Sequence, residues 1–471
     1  MSALAERTRL SGLAGGVRTS TTPWVLALTV LCAAIGVTAG VDPKYGIAAV
    51  LALVFTVVVL ANLTVGLAMF AALSFLDILN IGGPAVSFMK VAGLIIFVSW
   101  LARASTDSRR RARALVGEHP WMVAALVGLV AWSALSAAWA ASPGDALITT
   151  YRYALDFLLI PIAYAAIREP KHAHVVIAGF LIGAVVSAAY GLVVPTASTA
   201  LQAGRLTGAL GEANQQATAL VAGLALMVGV SGALKRSPAL LAAALAGAVI
   251  AFLGLLDTES RAGLLSFGCV LLAGVALGGR WRRIAALLVI AGAVAVVGYF
   301  AFVAPTTALH RVTSADTSGR SSLWTIGWRA FTAHPILGSG AGNFQVVSVH
   351  YLDRPGTITA AFYIVDRPLV VHNIYLEQLA DVGIPGLVIL LCIFVAAGAA
   401  ALKAAHIFER IGDRDLELLS RCVVLALVAF LTADFFASEL PSKQLWLVIA
   451  LCPALLALAR SRAAAAPGPR W

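Results

Sequence analysis

Charge is what this chain has least of. Only 12% of its 471 residues are Asp, Glu, Lys or Arg, against 61% that are hydrophobic, and the mean hydropathy is +0.93. A solvated domain surface needs far more charge, so a soluble globular protein is excluded and the chain reads as a membrane protein. Cysteine is scarce too. Cys32, Cys269, Cys392, Cys422 and Cys452 all fall inside apolar stretches, as small buried hydrophobes do, and supply neither a disulfide framework nor a metal site. A phosphate loop is also missing: the Gly-rich "PILGSGAGNF" has no Walker lysine behind it and no strand, turn and helix unit around it, so it reads as a tight turn.

What the chain does have is apolar runs. They lie near 24–41, 46–61, 63–79, 87–102, 121–140, 151–167, 174–194, 214–233, 238–256, 262–279, 284–304, 374–402, 417–437 and 443–460. About 20 apolar residues cross a hydrocarbon layer roughly 30 Å thick. The pattern therefore predicts an all-α polytopic membrane protein of about 12–14 transmembrane helices. The division between 46–61 and 63–79 rests on Asn62 alone.

Basic residues follow the same division. With the N-terminus inside, alternate loops hold Arg7, Arg9 and Arg18; Arg103 and the arginines from Arg109 to Arg113; Arg168 with Lys171; Lys235 with Arg236; Arg280 to Arg283; Lys403 to Arg421; and Arg460 to Arg470. Lys and Arg accumulate in short cytoplasmic loops, so an even number of spans with both termini in the cytoplasm is expected. The same bias accounts for the net charge of +11, which gives no reason to infer nucleic-acid binding. The first span is long and lacks a clear cleavage pattern, so it is not read as a removable signal. Three segments result: a transmembrane bundle over 1–304, one long outward loop with short amphipathic helices over 305–371, and C-terminal transmembrane helices over 372–471.

Several cations remain on the outer side. Arg205 lies in "QAGRLTGALGEANQQATAL" and Arg261 in "LDTESRAGLLSF"; Arg311, Arg320, Arg329, Arg354 and Arg367 lie in the long loop, which His372 ends. In "TSGRSSLWTIGWRAF", Thr317 or Ser318 is placed to cap a helix, and Leu323, Trp324, Trp328 and Phe331 recur as one apolar stripe. Such a helix lies along the membrane surface and offers Arg320, with its first unpaired N–H groups, to an anion at headgroup level. The plainer alternatives are that Arg320 anchors the loop on lipid phosphate, and that Arg261 snorkels or pairs with Asp257 or Glu259. His372 stands where an extended loop turns into a helix over 373–380. The positive helix end disfavours imidazolium, so a neutral ring able to accept a proton is expected; a structural histidine at a helix start is the other reading.

"SGRSSLWTIGWRAFTAHPILGSGAGNF", followed by "HNIYLEQLADVGIPGLVILL", resembles the signature of the O-antigen ligase and polymerase superfamily. The resemblance covers roughly 315–395, with weaker echoes in "GRLTGALGEANQQA" and "SRAGLLSF". It implies a GT-C-like glycosyltransferase of the bacterial inner (plasma) membrane, with its active site facing the periplasm or exterior. Such an enzyme takes a glycan from an undecaprenyl diphosphate carrier to an acceptor hydroxyl on a lipid or glycan; its partners are that donor, the acceptor and membrane lipids, with no cofactor. Carried over by motif, Arg261 of "SR", Arg320 of "GR…LW" and His372 of "HN…L" are the catalytic residues, and Arg205, Asn373 and Trp324 contact substrate. "GEAN" departs from relatives that often carry proline before the asparagine, which argues against a role for Asn214; the span count also exceeds the twelve expected of a ligase.

The chemistry fits these residue types. Guanidinium groups stabilise the charge of a departing diphosphate bidentately, while His372 orients or deprotonates the acceptor. Direct displacement inverts the anomeric centre. The outer acidic residues are scattered apart from Asp257 and Glu259, so transfer without metal is expected. A ligase joining a finished glycan and a polymerase extending repeat units use the same residues, and both stay open. A solute transporter places ionisable groups near the bilayer midplane; here they gather at the outer edge, with Lys90, Arg152, Asp156 and Asp434 as partial exceptions.

Overall fold

A computed structural model describes residues 43–76, 88–102, 113–194, 204–235, 237–314, 319–352 and 369–465, with fragments of 29–41. The run at 24–41 lies mostly outside the described residues, as do Thr317, Ser318, Arg354 and Arg367. The chain divides into two compact units, 1–54 and 55–471, and every candidate site residue belongs to the second. No strand occurs among the described residues. Among the described residues, eight helices are long and apolar enough to cross a membrane, and five apolar helices of 10–17 residues accompany them. The fold is that of an all-α polytopic membrane protein.

In chain order the helices are α1 (Pro43–Ala61), α2 (Leu63–Leu73), α3 (Phe88–Ala102), α4 (Pro120–Ser136), α5 (Pro143–Phe157), α6 (Leu159–Ala166), α7 (Pro170–Val193), α8 (Ala213–Leu234) and α9 (Pro238–Asp257). They continue with α10 (Arg261–Leu277), α11 (Arg282–Phe302), α12 (Thr306–Thr313), α13 (Arg320–Ala333), α14 (Phe344–Val347), α15 (Ile374–Arg410), α16 (Arg414–Ala433) and α17 (Lys443–Ala465). Starts follow local chemistry. Proline opens α4, α5, α7 and α9, where its missing N–H costs nothing, and Ser142, Ser237 and Ser260 cap α5, α9 and α10. Asn62 does divide 46–79. Its backbone is extended (φ −147°, ψ 109°), and its side-chain oxygen accepts from the Thr64 and Val65 amides at 3.0 and 3.2 Å, a strong N-cap that ends one helix and starts the next.

The core is built where α8 packs on α16, α15 on α17 and α10 on α16. Most of α17 is buried, including Trp446 at 0% exposure. At the end of the bundle where α10 and α15 finish and α16 begins, Arg421 pairs with Glu417 at 3.1 Å and Glu409 at 2.9 Å, and Arg280 reaches Glu417 at 3.0 Å. Arg421 also donates to the Leu277 carbonyl at 2.6 Å, so the charge of the buried Glu417 is matched on both sides, as a buried ion must be.

The run read as one span over 374–402 is corrected by a break. Within α15, Gly383 has φ 70° and ψ −171°, and Pro385 follows, which separates a short helix bearing His372 at its head from a long apolar one. The Gly-rich turn docks at this break. Ser339 N–H donates to the Ala380 carbonyl at 2.8 Å and Gly340 N–H to that of Asp381 at 2.7 Å. A Cβ on Gly383 would stand 2.1 Å from the Ile336 carbonyl oxygen, so both the close approach and the left-handed backbone demand glycine. The Asp381 carboxylate accepts from the Gly342 and Phe344 amides at 2.8 Å each. The N–H groups of this turn thus cradle a carboxylate of the chain itself.

Candidate functional site

The site forms at the bundle end opposite the Arg421 network, where α9 turns into α10. Thr258 to Ser260 make that turn, with Glu259 at φ 48°, a left-handed conformation rare for a side chain of this size. Ser260 Oγ accepts from Gly263 N–H at 3.1 Å, capping α10, and donates to Asn214 Oδ1 at 2.8 Å. Arg205 meets the same pair of elements: Nε donates to the Thr258 carbonyl at 2.9 Å and Nη2 to Asn214 Oδ1 at 3.1 Å. Asn214 Nδ2 donates in turn to Glu212 at 2.9 Å, and Glu212 caps α8 by accepting from Gln215 N–H at 2.6 Å. Of the two acids offered as partners for Arg261, Glu259 pairs with Arg311 at 3.0 Å and Asp257 accepts from the Tyr299 hydroxyl. Arg261 Nη1 donates to the Ser314 carbonyl at 2.7 Å.

α13 brings Arg320. Its N-cap is Gly319, at φ 76° with no side-chain cap, while Thr317 and Ser318 lie outside the described residues; the chain enters through a left-handed residue, which glycine adopts without steric cost. The predicted stripe also divides. Ser322, Leu323, Ile326, Gly327 and Ala330 are the buried positions, Trp324 is half-buried with ring centroids 5.8 and 6.0 Å from Phe435 and Phe436, and Trp328 is 55% exposed. Close packing selects the smaller residues: a Cβ on Gly327 would stand 3.1 Å from Val371 Cγ1 and 3.2 Å from Leu376 Cγ. A bulky stripe would hold α13 away from the segment that carries His372.

His372 has φ 54°. Immediately after it, Asn373 Oδ1 accepts from the Tyr375 and Leu376 amides at 3.0 Å each, so this side-chain oxygen caps α15. Ile374 N–H donates to the Asp434 carbonyl at 3.0 Å. Asp434, read from the sequence as a midplane exception, therefore sits at the end of α16 beside the His372 turn; its carboxylate oxygens are buried with no hydrogen-bond partner among the described residues.

Electrostatics joins these pieces. Burial, with the Arg320 charge second, draws His372 down to about 4 from 6.5, so the ring is neutral near pH 7. The expected neutrality holds, with desolvation rather than the helix dipole as its main cause. Burial also pulls Arg320 below its ordinary value, opposed by Glu212 and reinforced by Arg261. Arg205 is lowered in the same way, by burial first, with Glu212 and Glu259 opposing and Arg311 and Arg320 adding to the fall. Burial raises Glu259, against the pull of Arg311 and Arg205. Arg205, Arg261, Arg311 and Arg320 thus act on one another or on shared carboxylates, and His372 stands beside Arg320. These four arginines outnumber the three carboxylates Glu212, Asp257 and Glu259, leaving an excess of positive charge suited to a polyanion.

Residues 246–391 match the family model described as O-antigen ligase. This segment belongs to the O-antigen ligase superfamily. A search of curated proteins finds no match. The O-antigen ligase segment holds Arg261, Arg311, Arg320, His372 and Asn373, whereas Arg205, Glu212 and Asn214 come to it from upstream. At family level it implies a membrane glycosyltransferase-type activity.

Glu212, Asn214, Glu259 and Arg311 are the members that sequence reasoning did not select. The missing proline in "GEAN" weakens any role for Asn214, although its position at the start of an apolar run beside a loop arginine is a signal the sequence carries. No three His, Cys, Asp or Glu side chains among the described residues are grouped to hold a metal ion.

Proposed function

We propose that this chain moves a glycan from an undecaprenyl diphosphate carrier to an acceptor hydroxyl of a lipid or glycan, in the manner of an O-antigen ligase. What supports the reading is a half-buried histidine beside Arg320, held below its ordinary pKa by that burial, at the edge of a cluster in which arginines outnumber carboxylates. The chain lies in the bacterial inner (plasma) membrane with a GT-C-like organisation. The Arg421 and Arg280 end, rich in Lys and Arg, faces the cytoplasm together with both termini, since basic residues accumulate there; the arginine and histidine site faces the periplasm or exterior.

In this reading Arg205, Arg261 and Arg320 hold the diphosphate and stabilise the charge that grows on it as the sugar C1–O bond breaks. His372 takes the proton of the acceptor hydroxyl, whose oxygen forms the new bond to C1 from the opposite face and inverts the centre. The diphosphate leaves on its lipid. General-base assistance of this kind is typically worth about 10² to 10⁴ in rate. Trp324, one helical turn from Arg320, lends an aromatic surface to the glycan, and no metal takes part.

The test is mass spectrometry of envelope glycans in a deletion strain. Full-length carrier-bound chains are expected to accumulate, and the wild-type gene, but not the Arg320→Ala or His372→Ala variant, is expected to clear them. Accumulation of single repeat units would assign polymerisation instead, and unchanged envelope glycans would overturn both.

A further inference from the structure

We infer that Arg311 is a fourth diphosphate-binding arginine, and that Glu259 is an internal anion which holds it at the site until the donor arrives. The inference deepens the reading of a diphosphate-linked donor and rests on it.

Three contacts lace the turn between α9 and α10 to the segment over 299–314. The Tyr299 hydroxyl, near the end of α11, donates to Asp257. Arg311 of α12 pairs with Glu259 at 3.0 Å, and Arg261 Nη1 donates to the Ser314 carbonyl at 2.7 Å. The loop bearing Arg205 lies against the same turn: Arg205 Nε donates to the Thr258 carbonyl at 2.9 Å, and Leu206 N–H to that of Asp257 at 2.9 Å. The turn therefore gathers Arg205 and Arg311 beside Arg261, and the Glu259 carboxylate stands among them.

Two features set the Glu259–Arg311 pair apart from a purely structural one. Glu259 has φ 48°, which a side chain of its size keeps only where its surroundings hold it. Glycine would make this turn without strain, so what glutamate adds is its carboxylate. The partners also differ in access, the Glu259 side chain being 10% exposed and that of Arg311 40%. The acid is thus fixed in the fold, while the arginine lies on its open side, on a short helix of which only Ala308 is buried. An ion pair this open adds little stability. A diphosphate presents two phosphoryl groups to the guanidinium fork where Glu259 presents one carboxylate, so Arg311 is the partner that turns to the ligand. Arg205, on the neighbouring Thr258 carbonyl, stays beside Glu259 when it does.

The experiment titrates farnesyl diphosphate, as a short polyprenyl diphosphate, onto the purified full-length chain in phosphatidylcholine nanodiscs by calorimetry. Arg311→Gln is expected to weaken binding about tenfold, and Glu259→Gln to tighten it about two- to fivefold. Both substitutions break the same ion pair, so a pair that served the fold alone would move affinity in one direction. Unchanged affinity in Arg311→Gln, or unchanged or weaker binding in Glu259→Gln, overturns the inference. Should Glu259→Gln fail to fold, Glu259→Gly, which suits φ 48°, carries the same expectation. Loss of the binding when phosphatidylglycerol is added would assign the arginines to lipid headgroups and overturn it as well. If the wild type binds and Arg311→Gln binds equally, only the role of Arg311 fails; if the wild type does not bind the probe, the carrier reading fails with it.

Discussion

Arg205 and Thr258, separated by 53 positions, are joined by a 2.9 Å hydrogen bond from Nε to the carbonyl oxygen. The bond fixes one edge of the guanidinium against the turn that begins α10, and the Asn214 contact at 3.1 Å fixes another. The arginine is oriented before any anion arrives, and an oriented charge stabilises a transition state without the cost of reorganisation.

Removing Asn214 should loosen that arrangement. Asn214→Ala deletes the acceptor shared by Arg205 and Ser260 and the donor to Glu212. Each hydrogen bond to a charged group is worth about 1.5–3 kcal/mol. The donor KM should rise about tenfold or more, and Asn214→Asp, which turns a carboxylate towards Glu212, should be no better. Steady-state kinetics with varied donor checks this; an unchanged KM would remove Asn214 from the site.

Arg320→Ala and His372→Ala should each abolish transfer at unchanged protein level. The loss for His372 should be about 10² to 10⁴ in kcat, and that for Arg320 about 10² or more if it stabilises developing charge. Product formation by chromatography, with immunoblots for abundance, decides the point.

The pH dependence should carry the signature of His372. Its folded value near 4 lies below the ordinary 6.5, so the unfolded chain takes up the proton first. Between about pH 6.5 and 4 this residue therefore costs the fold stability as pH falls, and above that window it has no further effect. The thermal midpoint of His372→Ala should accordingly drop less than that of the wild type between pH 7 and 4.5. In catalysis the base form should survive to near pH 4, so an acid limb of kcat/KM centred at 6.5 would contradict the assignment.

The docked turn should be a stability element. Asp381→Ala leaves the Gly342 and Phe344 amides without their acceptor, at a cost of about 1–3 kcal/mol for each buried donor. Gly383→Ala adds a Cβ 2.1 Å from a backbone oxygen at φ 70° and should prevent recovery of folded protein. Size-exclusion profiles and thermal unfolding in detergent measure both effects, and a wild-type midpoint in either variant would show that α15 keeps its break without the turn.

How far the sequence reached is clearest at α13. The residues from Arg320 to Ala333 form a helix, as their spacing required, but its buried face is chosen by Gly327 and Ala330 against Val371 and Leu376. Periodicity reports which residues are apolar; it does not report which neighbour comes close. The same limit applies to α15: hydropathy passes smoothly through Gly383, whereas the break there is marked by Gly383 and Pro385 and met by the docked turn.

By itself, the sequence determined the membrane class, the helices and which cations lie apart from the basic loops, because hydropathy, proline and cap residues act over a few positions of chain. Tertiary structure alone decided that Arg205, Arg261, Arg311 and Arg320 act on one another or on shared carboxylates, with His372 beside Arg320, and that Asn214 holds Arg205. Those meetings depend on left-handed turns at Glu259, Gly319 and His372 and on hydrogen bonds between residues far apart in the chain. Neither follows from local propensity, since each exists only once the helices have packed.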